Sequence, residues 1–242
     1  MSIAKYIAEV LFSLKTALWL LVIMLALMLA GAVIMPGKSE FQALHTTAMM
    51  DWIRGQPAGL TWWLWGLIAV LAIMALNTLF CSIESIVKKR KVTQWLLLIS
   101  PQVIHAGFLL ILFAHLLSAI GASQAQAVAG EGMKVLLADG KTVLTVQDIR
   151  ISFDYYGYIQ DWQVDVQYSE GGRVIGKESI RPNDPSTSTG FNINVKDLKA
   201  FPREAVLLQI QREPGSPWAL AGGVVFMVGI ITLIILRVRM ER

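Results

Sequence analysis

The sequence predicts a membrane protein of mixed class: four transmembrane helices with one extracytoplasmic antiparallel β-sandwich or barrel-like domain inserted between helices 3 and 4. Three observations predict it. The 242 residues are 55% hydrophobic and only 16% charged, outside the usual composition of soluble domains. Residues 16–35, 60–81, 101–120 and 218–236 are four runs without Asp, Glu, Lys or Arg, each long enough to cross a hydrocarbon layer of roughly 30 Å. Between the third and fourth runs the pattern changes to alternation, as Trp162, Val164, Val166 and Tyr168 interleave with Gln163, Asp165 and Gln167. That is the period of a half-buried strand.

The elements follow in chain order. Residues 1–15 place Ile3, Tyr6, Ile7, Val10, Leu11 and Leu14 at helical spacing, which predicts an interfacial amphipathic helix. Residues 16–121 hold three spans (16–35, 60–81 and 101–120). The first is read as a retained helix and not a signal peptide, being long and followed by further spans without a small-residue cleavage site. For the third, Ser100 is expected to cap and Pro101 to take the first helical position, leaving residues 95–99 at the membrane interface. Residues 122–217 form the β domain, with further strands expected at 133–137, 141–146, 149–153, 173–180, 191–195 and 206–212. Turn chemistry separates them at Asp139-Gly140, Gly157, Gly171-Gly172 and Pro182-Asn183-Asp184-Pro185. Residues 218–242 are the fourth span and a basic tail.

Orientation follows from the Lys and Arg of the short loops. Lys5, Lys15, Lys88, Lys89, Arg90, Lys91, Arg237, Arg239 and Arg242 fall on one side, with only Glu9, Glu84 and Glu241 against them. That side is expected to be cytoplasmic. The segment of the β domain carries ten bases against twelve acids, so the net charge of +4 reports topology and gives no argument for nucleic acid. The basic run at Lys88 suits a membrane lipid surface as well as it suits a topology signal.

Chemistry-bearing residues are few. Cys81 is the one cysteine, so there is no internal disulfide, no Cys-x-x-Cys redox pair and no c-type haem attachment motif. Hydrolase, phosphate-loop, dinucleotide and zinc-protease signatures are missing. Two of the three histidines, His105 and His115, lie inside the third span. Ten residues apart on a helix, they stand about 15 Å apart along the axis and about 80° apart around it. They cannot share one metal, but each could serve a site in one membrane leaflet. An ionisable side chain in hydrocarbon is a functional candidate, although a neutral imidazole also serves as a hydrogen-bonding group between helices. His45 reads as a solvated loop residue, Asn77 as an interhelical donor, and Trp62, Trp63 and Trp65 as an interfacial aromatic belt.

Several segments together resemble one family. Leu11-Phe-Ser-Leu-Lys-Thr-Ala-Leu-Trp-Leu-Leu running into Gly31 and Pro36 is similar to the opening of ResB proteins of the System II cytochrome c biogenesis machinery. Trp62-Trp63 followed by Ala75-Leu-Asn-Thr-Leu-Phe-Cys81-Ser resembles that family's second span, and Val103-Ile-His105-Ala-Gly the start of its third. Ile180-Arg-Pro-Asn183-Asp-Pro185 with Gly190, then Glu213-Pro-Gly215 leading to Gly222 and Gly229, resemble its closing strands and last span. The resemblance implies a membrane subunit that works with a ResC-like haem-handling partner to export haem and present it to apocytochrome c or a multihaem cytochrome c. It implies non-covalent haem b, with His105 as an axial ligand of the haem iron. It also implies the bacterial inner membrane, with both termini cytoplasmic and the β domain periplasmic. The chain departs from the family in its shorter outer domain and in His115, where a small or apolar residue is expected. The competing expectation is a b-type haem electron-transfer or structural subunit of a respiratory cytochrome complex, with His105 and His115 each holding one haem iron.

Overall fold

The computed structural model describes residues 13–88, 95–187, 189–200 and 203–240. Expectations for residues 1–12, including most of the interfacial helix, lie outside them. The chain divides into a helical unit, Met1–Leu44 with Met49–Ile120 and Pro214–Arg242, and a β unit, His45–Ala48 with Gly121–Glu213.

In the helical unit, α1 (Leu14–Ile34), α3 (Ala58–Lys88), α4 (Trp95–Gly121) and α5 (Ser216–Met240) are long and apolar enough to cross a membrane. Their exposed Leu, Ile, Val and Met side chains are what a lipid-facing surface requires. The segment between α1 and α3 folds into two 3-10 turns, Met35–Gly37 and Ser39–His45, and the short helix α2, Met49–Arg54. Phe41, Trp52, Ile53, Trp63 and Leu64 bury one another there, and the Trp52 indole donates to the Glu40 carbonyl at 3.0 Å. Trp63 therefore departs from the expected belt. It is only 6% exposed, against 51% for Trp62 and 44% for Trp65, because its ring closes over Gly31, where an added Cβ would lie 2.4 Å away.

The start of α4 also differs from expectation. The helix begins at Trp95 and runs through Pro101, and Ser100 is not its cap: the hydroxyl donates to the Leu96 carbonyl, 2.6 Å away, within the helix. Pro101 lies inside the helix, six residues after Trp95, where it removes the bond its nitrogen would have made to the Leu97 carbonyl.

The β unit is two open antiparallel sheets. β1 (Ser123–Ala129), β7 (Ala205–Arg212) and β6 (Asn192–Lys199) form one in the order β1-β7-β6. β2 (Lys134–Leu136), β3 (Thr142–Phe153), β4 (Ile159–Glu170) and β5 (Arg173–Ile180) form the other in chain order. Both contribute to a single core, in which Leu144, Val146, Val164, Val166, Tyr168 and Ile180 meet Ile193, Val206, Leu208 and Ile210. Two sheets sharing one core make a sandwich.

The alternation in β4 points Val164, Val166 and Tyr168 inward, all at most 1% exposed. The expected strands at 141–146 and 149–153 are one strand, β3, bent at a register shift between Val146 and Asp148. A bulge there adds one residue and keeps Val146 and Ile149 both in the core. The β4–β5 hairpin turns through Gly171 and Gly172 at φ 56° and 83°, the left-handed pair that a two-residue hairpin loop requires. β1 was not anticipated: its inward positions are Ala127 and Ala129, which give a weak apolar signal, yet it pairs with β7 from Ser123↔Arg212 to Ala129↔Val206.

Candidate functional site

Asn77, Thr78 and Ser82 place three polar side chains along one stretch of α3. Thr78 donates its hydroxyl to the Met74 carbonyl at 2.8 Å, and Ser82 donates to the Thr78 carbonyl at 2.8 Å. Such back-bonding lets hydroxyl residues sit in an apolar helix without an unpaired donor. Asn77 points its amide at the carbonyl of Ser13, just ahead of α1, at 3.4 Å, so the donor expected to act between helices reaches the residue that precedes one.

α4 brings His105 to this stretch. Its Nδ1 lies 2.7 Å from the Ser82 hydroxyl oxygen. The direction is fixed by what flanks it. Gly107 lies against the backbone of Phe226 and Gly222 on α5, and two residues correspond to about 200° around a helix, so the side of α4 bearing His105 faces away from α5. Phe108, one turn on from His105, packs with Leu20, Val70 and Met74 of α1 and α3. His105 is thus half-buried on the inner side of α4. His115 is exposed on the same helix and has no hydrogen bond among the described residues. The two histidines are not brought together. Cys81 neighbours this stretch on α3 and is partly buried. His45 ends a 3-10 turn.

No group of three or more His, Cys, Asp or Glu able to hold a metal ion occurs among the described residues. The β unit has an open cleft of about 230 Å³ lined by Arg150, Ile151, Ser152, Asp161, Trp162 and Gln163. Its cation is already engaged, because Arg150 pairs with Asp148 at 3.0 Å and with Asp165. Hydrogen bonds from Ser179 and Gln163, with Arg150 beside it, hold the Asp165 carboxyl below the usual carboxylate range. It is a satisfied surface network and not a poised acid–base pair. Ser82 is the residue that sequence reasoning missed. The signal available was its hydroxyl one turn beyond Thr78 on an apolar helix, but its partner is 23 residues away.

Four apolar helices and a two-sheet β unit define a multi-pass membrane protein of mixed α and β class. No protein-family description matches the sequence, and no curated protein matches it. Among solved structures the chain is similar to one titled "Cytochrome c Heme Lyase CcmF", with a TM-score of 0.46 and 13% identity over 91% of this chain and 34% of that one. The chain thus spans about a third of that protein's length, and a likeness of this degree carries no argument about activity.

Proposed function

We propose that this chain is a membrane subunit of cytochrome c maturation that holds haem b non-covalently through His105 and, with a ResC-like partner, presents it to apocytochrome c. The observation that carries the reading is His105 itself: an imidazole inside an apolar helix, its Nδ1 engaged by the Ser82 hydroxyl at 2.7 Å. His105 stands without a group of three or more His, Cys, Asp or Glu among the described residues, and a single imidazole of this kind would suit haem, which takes few donors from the protein. Haem would supply the vinyl groups that become thioether bonds in the acceptor cytochrome. The chain's residues supply orientation: Ser82 holds the ring of His105, and the Gly107 contact fixes which way α4 faces. The resemblance of five sequence segments to ResB proteins supports the same reading and a bacterial inner membrane setting, and the charge asymmetry supports a β unit on the side away from the cytoplasm.

The exposed His115 is assigned no ligand role. Substituting each histidine with alanine in the complex from its native membrane tests the proposal. His105→Ala should lower both haem retention and holocytochrome c yield by tenfold or more, and His115→Ala should leave both within a factor of two. Electron transfer through two haems predicts instead that each variant loses one haem while cytochrome c maturation continues. Wild-type haem content and maturation in a normally inserted His105→Ala protein would remove the reading.

A further inference from the structure

We propose that Ser82 is a positioning residue that holds the neutral imidazole of His105 in its Nδ1–H tautomer and so presents the lone pair of Nε2. The inference deepens the proposed haem role of His105 and rests on it for its purpose, though not for its geometry. The Ser82 oxygen lies 2.8 Å from the Thr78 carbonyl oxygen and 2.7 Å from His105 Nδ1. A serine hydroxyl has one proton to give, and a carbonyl oxygen can only accept. If the proton goes to Thr78, the contact with His105 must be filled from the imidazole side, with Nδ1–H donating to the Ser82 oxygen. Two hydrogen bonds are then made.

The reverse arrangement, with Ser82 donating to Nδ1, makes only one. It also leaves an Nε2–H donor for which the described residues offer no acceptor. A polar N–H left without a partner in an apolar setting costs free energy, and hydrocarbon offers no water to relieve it. The Nδ1–H tautomer is therefore favoured by one bond made and one orphan donor avoided. A ring nitrogen's readiness to bind a metal is set by the bond its partner nitrogen makes. The nitrogen left bare here is Nε2, at the end of the ring remote from the backbone, with its lone pair free to act as a ligand.

The test reads the tautomer directly and needs no haem. The full-length chain, with isotope-labelled histidine and reconstituted in lipid nanodiscs, is measured by imidazole nitrogen NMR, and His105 is identified by the signals that vanish in His105→Gln. Wild type should show a protonated Nδ1 and a bare Nε2. Ser82→Thr, which keeps the hydroxyl, should show the same. Ser82→Ala should move His105 toward the Nε2–H form that free histidine prefers. Added haem should bind Ser82→Ala about tenfold more weakly than wild type, the usual size of the loss when the group behind a ligating histidine is removed.

A bare Nδ1 in wild type, or an unchanged tautomer in Ser82→Ala, overturns the inference. If His105→Ala binds haem as wild type does while the tautomer responds to Ser82, the haem reading has failed and the positioning stands. If haem binding needs His105 but Ser82→Ala changes neither tautomer nor affinity, the positioning has failed and the haem reading stands.

Discussion

Gly107 of α4 and Gly222 of α5 lie directly on each other's backbone: a Cβ added to Gly107 would stand 2.8 Å from the Gly222 carbonyl oxygen, and one added to Gly222 would stand 2.9 Å from the Gly107 carbonyl oxygen. Small residues let helices approach closely in a membrane, where packing replaces the hydrophobic drive. The same helix turn that places Gly107 against α5 turns His105 toward Ser82.

Substitution at Gly107 cannot be relieved by a side-chain rotation, since the nearest atom is the Phe226 backbone nitrogen, 2.5 Å from the added Cβ. Gly107→Ala should therefore cost about 1–3 kcal/mol, as overpacking does. Gly223→Ala is the internal control, because nothing lies within 4 Å of its added Cβ. There the gain in helix propensity should stabilise by about 0.5–1 kcal/mol. Reversible unfolding in mixed micelles measures both, and equal effects at the two positions would mean that α4 and α5 do not pack through Gly107.

Topology has a direct readout. With nine bases and three acids in the loops assigned to the cytoplasm, a reporter active only in the cytoplasm should work when fused at Val92. A reporter active only after export should work at Gly171. A cytoplasmic reporter active at Gly171 would reverse the orientation.

The β unit should fold alone if excised at Gly121 and Glu213, the bounds of its long segment. Its core is closed by both sheets, and at roughly ninety residues it should be modestly stable. A cut at Ala129 should fail, because it removes β1 and exposes the whole paired edge of β7. Circular dichroism of the two fragments distinguishes them, and an equally folded short fragment would show that β1 is dispensable.

Within that unit the buried Tyr168 hydroxyl bonds to Ser186, whose own hydroxyl donates to Glu178. Burial pushes the Tyr168 phenol up to about 12, the Ser186 bond working against the rise and the Glu178 charge adding to it. The unfolded phenol ionises near 10. A folded value above the unfolded one gives stability that is complete below about pH 10 and lost as pH rises toward 12. The excised unit should lose stability over that window. Tyr168→Phe should cost about 1 kcal/mol at neutral pH, one net hydrogen bond, and flatten the alkaline slope. Denaturant midpoints across the window measure it, and an unchanged slope in the variant would assign the alkaline loss to other groups.

Most of the fold was legible because each environment writes its own period. The spans had to be continuous in apolar residues, and β4 had to alternate because Val164, Val166 and Tyr168 face the core while Gln163, Asp165 and Gln167 do not. What was not legible depended on partners distant in sequence. Trp63 looks like a belt residue until Gly31 is seen to lie beneath its ring. Pro101 looks like a helix start because local rules favour it there, and only the continuous helix from Trp95 overrides them. β1 was missed because a strand whose inward side is alanine lacks the bulky residues that mark strands. His105 stood out as an imidazole in an apolar run. Ser82 did not, since a serine in a membrane helix is common and its meaning lies in a ring on another helix.

The final prediction separates a ligand from a packing group at His105. His105→Gly leaves a space the size of the lost ring beside the Ser82 hydroxyl, which in wild type meets Nδ1 at 2.7 Å. Free imidazole entering that space can donate one N–H to Ser82 and offer its other nitrogen to iron, so millimolar imidazole should restore haem retention and the wild-type absorbance spectrum. His105→Phe fills the same space with an apolar ring and should not be rescued. The double variant His105→Gly with Ser82→Ala keeps the space but removes the hydroxyl, so rescue should need about tenfold more imidazole, the usual loss when a ligand's supporting hydrogen bond is deleted. A packing role predicts another pattern, in which the helical unit is destabilised by a few kcal/mol and the spectrum stays wild type in every variant that inserts. Equal rescue of the glycine and phenylalanine variants would show imidazole acting on haem away from position 105, and the ligand assignment would fall.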